Sequence, residues 1–281
     1  MIPASAIVEG IEALPTLPEA ITRLSALLRD DRATTTQFEQ AVRSDPAVTA
    51  NLLRAANSAF YGGSEPTTHV RQAVARLGLQ RVYEVAIGTS FRRSIPLRLP
   101  GYGLDGPTFW LHCAATAVYA EALGRSVGLP DPDLAFTAGL LHDVGKLIIG
   151  GFLAELMPES NWWTFGTAVM ERELLGSNHG DVGEAIARRW NLPLPVAHAC
   201  RWHHEVERAG PEVDRDLVAA VLAADHLAYL AGFSGGSGGG NGLDPSVQQR
   251  LGLTPERLEP LAEASREQVL QLGKLTLGRE G

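Results

Sequence analysis

The feature that most constrains the fold is an apolar run over residues 138–150 that carries three polar side chains in its middle. His142, Asp143 and Lys146 are surrounded by leucine, isoleucine and valine, so we expect most sides of this segment to be buried. A buried carboxylate or ammonium without a partner is costly, and something must compensate these groups. A divalent cation does so directly, because imidazole nitrogens and carboxylate oxygens are natural ligands for it. The alternative is a core histidine and aspartate that are satisfied by hydrogen bonds.

The composition is that of an ordinary globular protein, with 281 residues of which 45% are hydrophobic and 20% charged. No uninterrupted apolar run reaches about 18 residues, which predicts no membrane span. The first residues lack a basic stretch followed by an apolar one, so no secretory signal is expected. Cys113 and Cys200 each lie inside an apolar helical pattern, which favours reduced thiols in a cytoplasmic protein.

The charge of the chain argues against nucleic acid as a partner. The formal net charge is −8, and an acidic chain repels a phosphate backbone unless its basic residues cluster. The nearest approaches to a cluster are the arginines at 92–93 with Arg98, and those at 188–189. Neither is interleaved with aromatic residues, so we expect both to be solvated helix faces.

The spacing of apolar residues predicts helices throughout the chain and no strand, and therefore an all-α fold. Thr34 and Asp45 are placed to cap helices, Gly78 to end one, and Asp181 to cap a helix that continues through residue 190. The segment around residues 142–146 is expected to continue a helix. Asn57 is expected to have a structural role at a helix end.

Stretches rich in glycine and proline mark the boundaries of four predicted segments. Residues 1–100 form an N-terminal helical lobe, and residues 101–232 form a second helical lobe that holds the candidate site. Residues 233–242, rich in glycine and serine, are predicted to be a flexible loop, and residues 243–281 a helical tail.

Eight polar residues are stranded on apolar helical segments of the second lobe: His112, His142, Asp143, Lys146, His179, His203, His204 and Asp225. They come from several helices or helix ends, as a metal site in an all-α protein requires, since ligands must converge from different directions. Lys146 lies three residues after Asp143, so its ammonium could hold a bound anion such as phosphate or pair with that carboxylate.

The order of these residues resembles the HD superfamily of metal-dependent phosphohydrolases. The resemblance implies that His112, His142, Asp143 and Asp225 bind a divalent metal, and that His179 with His203 or His204 holds a second one. Adjacent side chains on a helix point about 100° apart, so only one of His203 and His204 need face the pocket. His198, His226 and His69 are assigned to packing or to the surface.

A second, more specific resemblance covers residues 14–230 and is to the HDOD domain. Its N-terminal half is matched by the segments LPTLPE (14–19), SDPAVTA (44–50), LRAANSAFYG (53–62) and AVARLG (73–78). Its C-terminal half is matched by FTAGLLHDVGK (136–146), ELLGSNH (173–179) and WNLP (190–193). HDOD proteins are bacterial signalling and regulatory modules, many of which are thought to have lost phosphohydrolase chemistry with some metal ligands. This chain departs from them by keeping a full ligand set.

The resemblance implies an HD-like helical bundle with an N-terminal helical lobe, acting as a bacterial cytoplasmic signalling module with a protein partner and one or two divalent ions. Fe, Mn, Zn and Mg all suit the mixed nitrogen and oxygen ligands. The alternative is a phosphohydrolase acting on a nucleotide or another phosphoester. Asp143 would then bridge the metals, Lys146 would bind the phosphate, and His179 or His203 would hold a second metal or donate a proton. No DGxGYP sequence follows His204, so hydrolysis of cyclic di-GMP is not expected.

Overall fold

The computed structural model describes residues 4–58, 61, 66–157, 167–236 and 242–277. These residues are almost entirely helical, and the predicted all-α fold is confirmed. The α-helices in chain order are α1 (Ala4–Ala13), α2 (Glu19–Leu28), α3 (Thr35–Arg43), α4 (Pro46–Ala56), α5 (Val70–Ser94), α6 (Gly106–Val127), α7 (Pro132–Leu141), α8 (Lys146–Leu156), α9 (Ala168–Leu175), α10 (His179–Arg189), α11 (Leu194–Trp202), α12 (Arg215–Leu230), α13 (Pro245–Leu251) and α14 (Pro255–Leu277). A short 3-10 helix spans Val206–Arg208.

One small sheet departs from the prediction that the chain has no strand. Strands β1 (Arg98–Leu99) and β2 (Leu104–Asp105) pair in antiparallel register. Each strand has two residues, which is too short for a period of two to be detected in the sequence.

The chain divides into two compact units. The larger contains residues 1–15 and 95–270, and the smaller contains residues 16–94 and 271–281. All eight polar residues singled out in the sequence belong to the larger unit. Residues 237–241 of the predicted glycine-rich loop lie outside the described residues.

In the smaller unit, polar side chains close the ends of helices. Thr34 and Gln37 form a capping box at the start of α3, and the Asp45 carboxylate accepts two backbone N–H groups at the start of α4. Asn57, just after α4, accepts a hydrogen bond from Thr67 N at 2.6 Å and donates one to Thr67 O at 2.7 Å. Asn57 thus joins two backbone segments, in agreement with the structural role expected of it.

Gly78 divides α5 into two helical segments, in agreement with the helix end that the sequence predicts there. Its φ of 78° is non-helical, and the two segments meet at this residue across a kink. The positive φ explains the choice of glycine, since a residue with a Cβ is strained in this conformation.

The core of the larger unit is built around α6 and α7. Its largest fully buried side chains include Phe109, Trp110 and Tyr119 on α6 and Phe136 on α7. Within the described part of the chain, the stretch Pro132–Leu156 is apolar and long enough to cross a membrane, but 78% of its most apolar window is buried inside the protein. Core packing therefore accounts for its hydrophobicity.

The segment that joins α7 to α8 is a tight turn and not the continuous helix expected from the sequence. Helix α7 ends at Leu141 and α8 begins at Lys146, with His142 and Asp143 in the turn between them. A Cβ on Gly145 would overlap the carbonyl oxygen of His179 and crowd Gly183 on α10. Glycine at this position therefore allows the turn to contact the first residues of α10.

The start of α10 corrects another prediction. Asn178 is the N-cap, and Asp181, expected to be the cap, is the third helical residue of a capping box with it. The Asn178 side chain accepts from Asp181 N at 2.9 Å, and the Asp181 carboxylate accepts from Asn178 N at 3.0 Å. Both residue types cap helices, so the sequence alone did not decide between them. As a result, His179 is the first residue of the helix.

Candidate metal centre

The structure brings all seven predicted metal ligands together in the larger unit. They form two groups, within each of which the candidate ligand atoms lie no more than 4.8 Å apart. We call His112, His142 and Asp225 with Asp143 Oδ2 the Asp225 half, and His179, His203 and His204 with Asp143 Oδ1 the His179 half. The carboxylate of Asp143 lies between the two halves and offers one oxygen to each.

In the Asp225 half, two imidazoles and two carboxylates face one another. His112 Nε2 lies 3.3 Å from Asp225 Oδ1, 3.4 Å from Asp143 Oδ2 and 3.3 Å from His142 Nε2. His142 Nε2 lies 3.3 Å from Asp143 Oδ2. His112 comes from α6, Asp225 from α12 and the other two from the turn after α7.

In the His179 half, three imidazoles surround the other oxygen of Asp143. His179 Nε2 lies 3.3 Å from Asp143 Oδ1, 3.3 Å from His203 Nε2 and 3.0 Å from His204 Nε2. His203 Nε2 lies 3.7 Å from the same oxygen. Both neighbouring histidines, His203 and His204, therefore face this half. His203 is fully buried, whereas His204 is exposed and forms the solvent-facing edge of the site.

The other ring nitrogen of each buried histidine is already engaged. Nδ1 of His112 lies 3.0 Å from Phe233 O, Nδ1 of His142 lies 2.8 Å from Gly139 O, and Nδ1 of His203 lies 2.9 Å from Cys200 O. Nδ1 of His179 lies 2.7 Å from the carboxylate of Glu171. All four acceptors are oxygens, so each Nδ1 is the donor of its ring and each Nε2 points into the site, where it offers a lone pair when the ring is neutral. Lone pairs that face each other at about 3.3 Å need a proton or a cation between them.

Asp143 has the donor chemistry that a cation requires. Among the described residues, its buried Oδ1 finds no hydrogen-bond donor. Burial by itself would raise the pKa of this carboxyl, but His142 and Lys146 hold it well below the usual range, so the group is an anion. The pKa of His142 is lowered by burial and raised by Asp143, with a net rise. Burial lowers the pKa of His203 to about 4, so its ring is neutral and free to act as a ligand near pH 7.

Lys146 pairs with Asp143, the second of the two possibilities that the sequence left open. Its Nζ donates to Asp143 Oδ2 at 2.5 Å and to Gly235 O at 3.1 Å, and it lies 5.4 Å from the centre of the Tyr102 ring. Burial by itself would lower the pKa of Lys146, but Asp143 outweighs this effect and raises it. The Lys146 side chain is only 7% exposed. Its ammonium is therefore held by these protein contacts and has little access to water.

Sequence reasoning missed a buried carboxylate behind the site. Glu171 on α9 is fully buried and accepts hydrogen bonds from His179 N at 2.6 Å, from His179 Nδ1 and from Tyr102 Oη at 2.8 Å. Burial would raise the pKa of Glu171, but His179 outweighs it and the pKa is lowered. Its helix is short, and Glu171 is one of three consecutive charged residues among eight, so no pattern marks this glutamate as the buried one.

The start of the glycine-rich segment also contacts the site. Besides the carbonyl contacts of Phe233 to His112 and of Gly235 to Lys146, the backbone of Gly235 packs on the His112 ring. A Cβ on Gly235 would overlap the imidazole, so the close approach requires glycine. These contacts join residues more than 80 positions apart, which local sequence patterns do not reveal.

The remaining histidines are not part of either group of candidate ligands. His69 is exposed and belongs to the smaller unit. His198 is buried on α11, and His226, next to Asp225 on α12, lines a separate cavity of about 530 Å³ between α12, α13 and α14.

A comparison with known protein families shows to which family the chain belongs. The sequence model of the HDOD domain matches residues 14–206, which is more than half of the chain. The chain belongs to the HDOD domain family. The resemblance that the sequence motifs indicated is thereby confirmed.

Solved structures of HDOD and HD-type proteins share the fold of this HDOD protein. An HDOD domain protein of unknown function from Geobacter sulfurreducens superposes with a TM-score of 0.75 and 23% identity, over 98% of each chain. A candidate signal transduction protein from Marinobacter aquaeolei VT8 has a TM-score of 0.71 and 21% identity, over 98% of this chain and 65% of that one. A candidate metal-dependent phosphohydrolase from Shewanella amazonensis SB2B has a TM-score of 0.59 and 20% identity, over 96% and 97% of the two chains. At these identities the similarity shows the fold alone.

Curated relatives also match in sequence, among them two that are each matched over part of their length. An uncharacterized protein of Treponema pallidum is 25% identical over 232 residues, which are 79% of this chain and 43% of that protein. Ribonuclease Y of Aquifex aeolicus is 35% identical over 117 residues, which are 42% of this chain and 16% of the ribonuclease. The HDOD protein thus spans less than half the length of either relative.

Proposed function

We propose that this HDOD protein is a metal-binding signalling module of the bacterial cytoplasm, which acts on a protein partner. The observation that carries the metal site is that four buried histidines bond an oxygen through Nδ1, which turns every Nε2 towards Asp143. A buried carboxylate oxygen without a donor among the described residues adds the negative charge that a divalent cation needs.

Several features support the remaining parts of this proposal. The fold shared with a candidate signal transduction protein supports a signalling role. Two free, buried thiols, Cys113 and Cys200, support a reducing compartment. The division into lobes 1–100 and 101–232 is also part of the proposal. The protein partner would bind to the N-terminal lobe or to a groove beside it. Fe, Mn, Zn and Mg remain the candidate ions, since imidazole suits Fe and Zn and carboxylate oxygen suits Mg and Mn.

Metal analysis tests the proposal directly. The protein is stripped with a chelator and titrated with ZnCl2 or MnCl2 in a calorimeter, with thermal unfolding followed in parallel. We expect saturable binding and an unfolding midpoint temperature that rises with metal concentration. At a free metal concentration 100 times the dissociation constant, the free energy of unfolding should increase by about 2.7 kcal/mol.

His203→Ala should abolish most of this stabilisation. The matched control is His226→Ala, which removes an imidazole beside Asp225 that lines a different cavity. Absence of cation binding by folded wild-type protein would rule out the metal site.

A metal-dependent phosphohydrolase is the second candidate, and the bridging position of Asp143 is the observation that favours it. A bound divalent cation would polarise a phosphoryl oxygen and activate a water molecule. Asp143 would hold the two halves in register, and Lys146 would place its ammonium on a phosphate oxygen. His179 or His203 would donate a proton to the leaving oxygen if it is not held as a ligand. The partial similarity to a ribonuclease and the shared fold with a candidate phosphohydrolase support a phosphoester substrate.

A small substrate panel tests this second function. Protein of measured metal content is assayed with p-nitrophenyl phosphate, bis(p-nitrophenyl) phosphate, a nucleoside triphosphate and a short RNA. Lys146→Met should lower kcat while metal content is retained, and Arg188→Met, which replaces an exposed cation on α10 that pairs with Glu184, is the control. A metal-loaded protein that hydrolyses none of the four would exclude these substrates and leave the signalling module as the function.

A further inference from the structure

The two halves of the site carry different charges, although they share Asp143. In the Asp225 half, the ammonium of Lys146 donates to the Asp143 oxygen that this half would use as a ligand. In the formal charge of this half, the positive charge of Lys146 therefore offsets the negative charge of Asp225. The ammonium also competes with a cation for Asp143 Oδ2. In the His179 half, the corresponding oxygen, Asp143 Oδ1, has no hydrogen-bond donor among the described residues.

The histidines of the two halves also differ in the hydrogen-bond acceptor of their Nδ1 atom. His112, His142 and His203 donate Nδ1–H to neutral backbone carbonyls. His179 alone of these four donates to a carboxylate, that of Glu171. A carboxylate behind a ligating histidine fixes its orientation and makes the ring a stronger donor to the metal.

A third hydrogen bond holds that carboxylate in place. Tyr102 Oη donates to Glu171 Oε1 at 2.8 Å, and both side chains are buried. Apart from the shared Asp143, the formal charge is −1 around the His179 half, from Glu171. Around the Asp225 half it is zero, from Asp225 and Lys146 together.

We propose that the two halves bind divalent cations in a fixed order, with the His179 half filled first and the Asp225 half second and more weakly. This inference rests on the proposed metal site and adds to it a difference in affinity between the two halves. The His179 half offers three imidazoles and one carboxylate oxygen, which suits Zn²⁺, Fe²⁺ or Co²⁺. The Asp225 half offers two imidazoles and two carboxylate oxygens, which also suits Mn²⁺. Glu171 and Tyr102 are positioning residues for the first ion.

Calorimetric titration of metal-free protein with ZnCl2 tests the order. We expect two events of one equivalent each, with dissociation constants at least tenfold apart. His203→Ala should remove the tighter event, and Asp225→Asn should remove the weaker one and leave the tighter one in place. Co²⁺ absorption provides a second readout, since the bands that develop with the first equivalent should be lost in His203→Ala and kept in Asp225→Asn.

The positioning residues are tested by their effect on one event only. Glu171→Gln should weaken the first event about 10- to 100-fold and leave the second nearly unchanged. Tyr102→Phe should act in the same direction and more weakly. Glu173→Gln, which changes an exposed glutamate on the same helix, is the matched control and should change neither. Lys146→Met should strengthen the second event, because it removes the competing ammonium.

The possible outcomes separate this inference from the proposed function. Two events of equal affinity, or loss of the tighter event in Asp225→Asn, would overturn the order while leaving a metal site. A general loss of stability in Glu171→Gln that lowers both affinities equally would overturn the positioning role. Folded wild-type protein that binds no cation would overturn both the metal site and the order.

Discussion

In the smaller unit, Thr34, Asp45 and Asn57 satisfy their polar groups with backbone atoms near helix ends, at most ten residues away in sequence. In the larger unit, His112 and Asp143 lie on separate elements, are almost fully buried, and face each other across 3.4 Å. Local satisfaction is what a helix terminus needs to be stable. Buried groups from distant elements that face one another in this way are the ones that the proposed cation would hold together. This difference separates the structural polar residues of the chain from the functional candidates.

The largest expected effect comes from breaking the buried pair. Asp143→Ala in metal-free protein should cost about 3–5 kcal/mol, because it leaves the buried ammonium of Lys146 with only the Gly235 carbonyl as a hydrogen-bond acceptor among its described contacts. Urea unfolding measures the loss. Glu184→Ala, which breaks the exposed pair with Arg188 on α10, is the control and should cost less than about 1 kcal/mol. Equal costs for the two variants would erase the contrast between buried and exposed charges.

A smaller effect is expected where backbone approaches the turn. Gly145→Ala should destabilise the protein by about 1–3 kcal/mol, because its Cβ would overlap the His179 carbonyl oxygen and force the turn away from α10. The control is Gly151→Ala on the exposed side of α8, where a Cβ meets no atom within 4 Å. That change should be neutral or stabilising by less than about 1 kcal/mol. Thermal unfolding of both variants gives the comparison, and a tolerated Gly145→Ala would contradict the packing.

In the smaller unit, the loss of Asn57 should be moderate and without consequence for metal. Asn57→Ala removes two hydrogen bonds to Thr67 and should cost about 1–2 kcal/mol. Asn57→Asp keeps the acceptor for Thr67 N and should cost less. Calorimetry of both variants should give the wild-type affinity for Zn²⁺. An altered affinity would show that the smaller unit contributes to the site.

The smallest effect is expected at an exposed ion pair and depends on pH. Hydrogen bonding by Arg43, with help from Arg71, outweighs slight desolvation and holds the pKa of Glu39 below its usual value. A folded-state pKa below the unfolded one gives a contribution that is present above the unfolded value and lost as pH falls through the folded one. Glu39→Gln should therefore lower the unfolding temperature slightly at pH 7, and the difference should vanish in acid. A difference that grows in acid would contradict the sign, and added salt should reduce it at pH 7.

Much of the fold was accessible from local patterns. Helix α3 follows its cap at Thr34, α4 follows Asp45, and Gly78 marks the kink in α5, because capping and glycine conformation depend on neighbouring residues. The prediction failed where two local signals compete, as at Asn178 and Asp181, and where a turn is dictated by packing, as at Gly145. The apolar run itself did not distinguish a helix from a turn between helices.

For the site, the sequence named the candidate ligands and their order along the chain, because an imidazole or carboxylate in an apolar helical pattern is visible without coordinates. Their roles as ligands stay predictions. The tertiary structure alone decided that Asp143 turns one oxygen to each half, that both His203 and His204 face the site, and that Lys146 pairs with the carboxylate. It also introduced Glu171, whose burial behind His179 has no local signature. The physical reason is that side-chain type is written residue by residue, whereas the distances and protonation that make those side chains a site arise only when separate helices pack together.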